Sequence, residues 1–153
     1  MIQKNPLNYA LFLLKIRDRS CSEIEKKMIS KGFTPDETTE SIKILKEKSF
    51  LDDDRFVDNY IRSKQNYSSS GKYKIKHKLQ QLGIDKKLLE QKIDQISPDK
   101  EIEIASSLAD NWLLRKHSVL PEKKYEKLGR FLISKGFEIN MVREILNNKK
   151  SEF

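Results

Sequence analysis

The five residues Ile29-Ser30-Lys31-Gly32-Phe33 return as Ile133-Ser134-Lys135-Gly136-Phe137, and a looser copy, Leu79-Gln80-Gln81-Leu82-Gly83-Ile84, lies between them. The three glycines are spaced by 51 and then 53 residues, a period of stacked helical units rather than of one mixed sheet. Each copy has the chemistry of a helix end. Glycine takes the left-handed conformation at low steric cost, and the residue after it packs back on the residue four before it. Those pairs are Met28 with Phe33, Leu79 with Ile84, and Leu132 with Phe137, all apolar. Two residues past each glycine stands a candidate N-cap: Thr34, with Pro35 at the first helical position and Glu37 three on; then Asp85; then Glu138, a poor cap. Each unit therefore reads helix, glycine stop, short turn, helix.

The rest of the composition agrees with an all-α chain. Only 37% of residues are hydrophobic and 35% are charged, with five glycines and four prolines and no apolar alternation of strand type, which excludes a sandwich or barrel. The expected fold is three tandem three-helix repeats, residues 1–51, 52–96 and 97–153, sharing one continuous core. Net charge is +8, and each repeat carries part of the excess. A distributed positive balance favours an extended polyanion, such as nucleic acid or a nucleoprotein assembly, over a single anionic pocket. The lone Cys21 permits no internal disulfide and reads as a small apolar filler. The longest apolar run is Ala10–Leu14, too short for a signal peptide or membrane span, so a cytoplasmic location is expected.

Along the chain, Leu7, Ala10, Leu11 and Leu14, with Leu13 beside them, form the first helical stripe. Ser20 with Glu23 makes a capping box for a helix that faces Ile24 and Met28 inward. A third helix from Pro35 buries Ile42 and Leu45, and Phe50-Leu51 ties the next connection to the core. Asp52-Asp53-Asp54 admits two readings: clustered carboxylates bind hard cations such as magnesium, and Asp also caps a helix start. The capping reading is the stronger, because no further acid stands nearby at ligand spacing. His77 and His117 have no companions at zinc-ligand spacing, and no motif of a catalytic site is present. Ser68 to Gly71 reads as a flexible loop. A long helix from Ser97-Pro98 is expected to bury Ile102, Ala105, Leu108, Ala109, Trp112 and Leu113, and the tail from Asn147 to fray.

The sharpest charge feature runs from Asn59 to Ile84, where no acid occurs but Arg62, Lys64, Lys72, Lys74, Lys76 and Lys78 do, interleaved with Tyr60, Tyr67 and Tyr73. At 100° per residue Ile75, Leu79 and Leu82 share a face, flanked by Lys72 and Lys76 on one side and by Lys74 and Lys78 on the other. These lysines either contact phosphate or carboxylate groups or are solvated flanks whose stems cover apolar surface. With Arg115 and Lys116 in support, they are the candidate filament- or nucleic-acid-binding residues.

Three segments together resemble the RecX regulators of the RecA recombinase: Tyr9-Ala10-Leu11 through Leu14, Arg17, Ser20, Glu23-Ile24, Lys27-Met28 and Gly32; Leu51-Asp52-Asp53 through Arg55-Phe56, Arg62, Gly71, Ile75, Leu79 and Gly83-Ile84; and Tyr125, Leu128, Arg130-Phe131-Leu132 through Gly136-Phe137. Leu82 departs from the family, which commonly has a basic residue before that glycine. The resemblance implies an elongated, curved array of three three-helix units lying along the groove of the RecA filament on single-stranded DNA. It implies a protein without catalysis or cofactor of its own, in recombination, DNA repair and the SOS response, that alters filament assembly, ATP hydrolysis and strand exchange. A capped array of this kind is expected to be monomeric. Two other classes stay open on the residues alone. One is a free-standing DNA-binding module of helix-turn-helix type, and the other is a nuclease using Asp52 to Asp54.

Overall fold

The computed structural model describes residues 4–153, and every regular element among them is helical. The helices are α1 (Pro6–Ile16), α2 (Cys21–Lys31), α3 (Pro35–Glu47), α4 (Asp53–Tyr67), α5 (Lys72–Gln81), α6 (Lys86–Asp94), α7 (Pro98–Arg115), α8 (Pro121–Ser134) and α9 (Ile139–Asn148), followed by a 3-10 turn at Lys150–Glu152. The three glycine stops are Schellman ends. Gly32, Gly83 and Gly136 have φ of 109°, 76° and 97°. The amides of Phe33, Ile84 and Phe137 donate back to the carbonyls of Met28, Leu79 and Leu132 at 3.2, 3.2 and 3.4 Å. A fourth end of the same type closes α3 with a serine in the glycine's place: Ser49 has φ 62°, and Phe50 N–H donates to Leu45 O at 2.8 Å.

Packing divides the chain into two compact units, one comprising residues up to Asn59 with Leu79–Leu89, the other Tyr60–Lys78 with Glu90–Phe153. In the first, Ala10, Leu13, Ile24, Met28, Leu45 and Leu51 form the core, with Tyr9 and Phe33 tilted together at 5.5 Å between ring centroids. Fully burying an aliphatic side chain of this size is worth about 1.5–3 kcal/mol. Of Phe50-Leu51 only Leu51 is buried; Phe50 is 54% exposed, because the left-handed Ser49 turns its side chain outward. The expected capping boxes of α2 (Ser20 with Glu23) and α3 (Thr34 with Glu37) are both present. Arg19 is a buried cation beside the first of these: its Nε donates to Leu13 O at 3.3 Å and its Nη1 lies 3.7 Å from Glu23.

In the second unit Ile104, Ala105, Ala109, Trp112, Leu128, Leu132, Phe137, Val142, Ile145 and Leu146 form the core. Of the expected α7 stripe, Ala105, Ala109 and Trp112 are buried and Leu108 and Leu113 pack against the core, but at the start of the helix Ile102 is 37% exposed, and Glu101 and Ile104 are buried instead. The reason is the task of Glu101 described below. Glu138 caps α9 after all, its carboxylate accepting from Met141 N at 3.0 Å. Those bonds hold its pKa below the ordinary carboxylate value. The segment after Asn147 folds back, with Lys149 Nζ 2.5 Å from Asp110 and Phe153 edge-on to Tyr125 at 6.3 Å.

One construction occurs in both units. In the first, the N-terminus of α2 receives the turn that ends α5. Ser20 Oγ donates to Leu82 O at 2.6 Å, Cys21 N donates to Asp53 Oδ1 at 2.8 Å, and a Cβ on Gly83 would lie 2.4 Å from Ser22 Cβ. In the second, the N-terminus of α5 receives the turn that ends α8. Gly71 N donates to Lys135 O at 2.8 Å, Tyr73 N to Gly136 O at 3.1 Å, and Lys72 N to Glu101 Oε2 at 2.8 Å. In each case the otherwise orphaned first amide of a second helix is satisfied by a carboxylate from the next helical triad. The stretch expected to be a flexible loop ends in this contact, with Ser70 and Gly71 buried.

Candidate nucleic-acid interface

Helices α4 and α5 carry six of the eight candidate cations, and the structure sorts them into two groups. Lys64, Lys74 and Lys78 line one cleft of about 110 Å³ together with Tyr60, Ser68, Ser70 and Ile75. Ile75 and Ser70 are buried in its wall, and the Lys64 ammonium sits 5.3 Å from the centre of the Tyr60 ring. Lys72 and Lys76, both half-buried, line no part of it. Lys72 lies 5.5 Å from the centre of the Tyr73 ring, and its charge acts on the carboxylates of Glu101 and Glu138. Arg62 is exposed on α4. Arg115 and Lys116 lie at the end of α7, where Arg115 Nε donates to Asn111 O at 3.3 Å and the Lys116 amide closes the helix on Trp112. Neither lines the cleft.

Two residues of this region escape a reading of the sequence. Glu101 is 1% exposed, and burial raises its carboxyl pKa while the Lys72 amide and charge oppose the rise. Its position in an amphipathic helix gave no warning, since the amide it serves is 29 residues away in the chain. Lys135 belongs to the turn seated on α5; burial, then the neighbouring charge of Lys74, lowers its ammonium pKa. Its sign was visible in the repeated Ile-Ser-Lys-Gly-Phe, but not which turn would meet which helix.

The scaffold itself does not require these lysines. Counting back eleven, nine, seven and five residues from the glycine stops gives Lys72, Lys74, Lys76 and Lys78 in α5, but Cys21, Glu23, Glu25 and Lys27 in α2 and Tyr125, Lys127, Gly129 and Phe131 in α8. Each of the four positions thus carries an acid or a neutral residue in at least one other helix, and α2 and α8 each keep a single lysine among them, Lys27 and Lys127. The carboxylates of Asp52 and Asp53 are engaged in capping, Asp52 Oδ1 accepting from Arg55 N at 3.1 Å and Asp53 from Cys21 N. Among the described residues no three His, Cys, Asp or Glu are grouped to hold a metal ion, and no helix is long and apolar enough to cross a membrane.

Residues 7–43 match the family model of the RecX first three-helix domain, and residues 52–93 that of the RecX second three-helix domain. A Regulatory protein RecX of Clostridium perfringens (strain 13 / Type A) is 32% identical over 95% of this chain and 70% of its own length. The chain belongs to the RecX family. Another RecX regulatory protein, from Prosthecochloris aestuarii, is 32% identical over 94% of this chain and 93% of its own length. RecX proteins differ in size, and of that from Clostridium tetani, 33% identical, this chain spans 58%. The crystal structure of RecX from Lactobacillus salivarius superimposes with a TM-score of 0.83 at 26% identity, covering 94% of this chain and 93% of that one. Tandem three-helix construction and a regulatory family are thereby established for this chain.

Proposed function

We propose that this RecX protein acts by binding the RecA filament on single-stranded DNA and altering its assembly, ATP hydrolysis and strand exchange, in recombination and repair. It does so in the cytoplasm as a monomer, with no reaction or cofactor of its own. Its three repeats, 1–51, 52–96 and 97–153, add separately weak contacts to neighbouring protomers and to the enclosed strand into one strong engagement. The observation that supports this reading beyond family membership is the lysine ladder of α5, present where the equivalent helices lack it. Lysines repeated at positions with no structural demand for them fit a polyanionic partner. The test is RecA-dependent ATP hydrolysis on single-stranded DNA during titration with this protein. A change at less than one molecule per recombinase protomer is expected. An unchanged rate through equimolar addition would refute the reading.

A further inference from the structure

The cations of α4 and α5 are not equivalent. None of Lys64, Lys72, Lys74, Lys78 and Lys135 is in an ion pair among the described residues, but the charge of Lys72 acts on the carboxylates of Glu101 and Glu138. Of the other four, three converge on one small cleft, and the fourth, Lys135, is brought next to Lys74 by interlocked backbone. A Cβ on Gly71 would lie 2.4 Å from the Gly136 carbonyl carbon, and one on Gly136 would lie 2.5 Å from Lys74 N. This seam places Lys135 at Lys74 and holds it there. Lys64 and Lys135 are half-buried and Lys74 and Lys78 exposed, and like charges gathered in one place repel one another unless an anion joins them.

We propose that the α4–α5 cleft, with Lys64, Lys74 and Lys78 on its walls and Lys135 beside it, is the seat of a nucleic-acid phosphodiester. The volume sets the size of the guest. At about 110 Å³ the cleft is well below the roughly 300 Å³ and more typical of pockets that enclose a whole small molecule, so it admits a phosphate group and leaves sugar and base outside. The walls set its polarity. Ammonium groups and the hydroxyls of Ser68 and Ser70 donate to phosphate oxygens, and the Tyr60 ring holds Lys64 in place. Two tyrosines at the neighbouring helix ends, Tyr67 at 89% exposure and Tyr73 at 52%, offer faces on which unpaired bases of the same strand can stack. The depressed basicity of the Lys135 ammonium beside Lys74 is a strain that a bound phosphate relieves.

This inference deepens the filament reading, and its test separates the two. Binding is measured by fluorescence anisotropy on labelled oligo(dT), bare and coated with RecA, over a salt series. The proteins are the native chain, K74Q/K78Q, K135Q, K72Q/K76Q and K74R/K78R, with circular dichroism as a check on folding. K74Q/K78Q is expected to lose affinity by on the order of tenfold and to lower the slope of log K against log salt by about 1.4, two phosphate contacts on a single strand. K135Q should show a smaller loss of the same kind, K72Q/K76Q a weaker effect than K74Q/K78Q, and K74R/K78R near-native binding. Equal losses in the two double glutamine variants, or none, overturn the seat, as does a native protein that binds neither target. If the native chain binds bare oligo(dT) with this pattern but not the RecA-coated strand, the seat stands and the filament reading falls.

Discussion

Glu101 Oε2 accepts the Lys72 amide at 2.8 Å from a side chain only 1% exposed. A carboxylate in that place satisfies an otherwise orphaned donor and complements the dipole of α5, yet it must be charged where water is scarce. Removing the acceptor and removing only the charge should therefore differ in size. Glu101→Ala leaves the amide buried without a partner and is expected to destabilise by about 1–3 kcal/mol, while Glu101→Gln keeps an acceptor and should cost much less. Because the folded-state pKa is raised above 4.5 by burial, the native protein binds this proton more tightly than the unfolded chain. Glu101 thus contributes a loss of stability as pH rises from about 4.5 through the folded value. Urea denaturation of both variants across that range checks the sign. A native chain whose stability relative to Glu101→Gln improves with rising pH contradicts it.

The three glycine stops share a backbone conformation but not surroundings, so alanine should separate conformational strain from steric exclusion. At Gly32 an added Cβ meets nothing within 4 Å, and the left-handed backbone alone costs about 1–2 kcal/mol. At Gly83 it would meet the Ser22 side chain, and at Gly136 the Lys74 backbone. Backbone yields less readily than a side chain, so the expected order of destabilisation by denaturant is Gly136→Ala above Gly83→Ala above Gly32→Ala. Equal losses at all three would mean that the seams are looser than their geometry.

Cys21 combines a half-buried thiol with a nearby acid. Burial, then Asp53, raises its pKa to about 11, so at pH 8 it holds two to three orders of magnitude less thiolate than an ordinary cysteine, by the roughly 2.5-unit difference from 8.5. Iodoacetamide should react slowly with the folded protein and at the usual rate in urea. Asp53→Asn should accelerate the folded-state reaction, since it removes the negative charge that opposes ionisation.

Local chemistry accounts for most of what could be read from the residues. Glycine stops, capping boxes and the apolar positions of α2 each depend on neighbours a few residues away, and these follow from spacing. What could not be read depends on groups brought together over long separations. Ile102 looked like core because its own helix is amphipathic, but in the first turn of α7 the inward place is taken by Glu101, which reaches the α5 amide. Ser70 and Gly71 looked mobile by composition, and they are buried by a turn 64 positions later in the chain. The candidate cations were found by charge alone. Their division into Lys64, Lys74 and Lys78 around one cleft, with Lys72 among acids, came only with the fold.

The borrowed caps also impose an order on biosynthesis. Ser20 finds its acceptor 62 residues downstream at Leu82, and the first amide of α2 waits 32 residues for Asp53. A nascent chain leaving the ribosome with only its first three helices therefore carries α2 with an uncapped amide that water alone can serve. The stretch from Gly71 to Tyr73 repeats this dependence on Glu101 and the Lys135–Gly136 turn. Each second helix thus reaches its final stability only when the next triad has emerged. Cutting the gene at a triad boundary would leave polar backbone exposed on the upstream fragment rather than release a finished module.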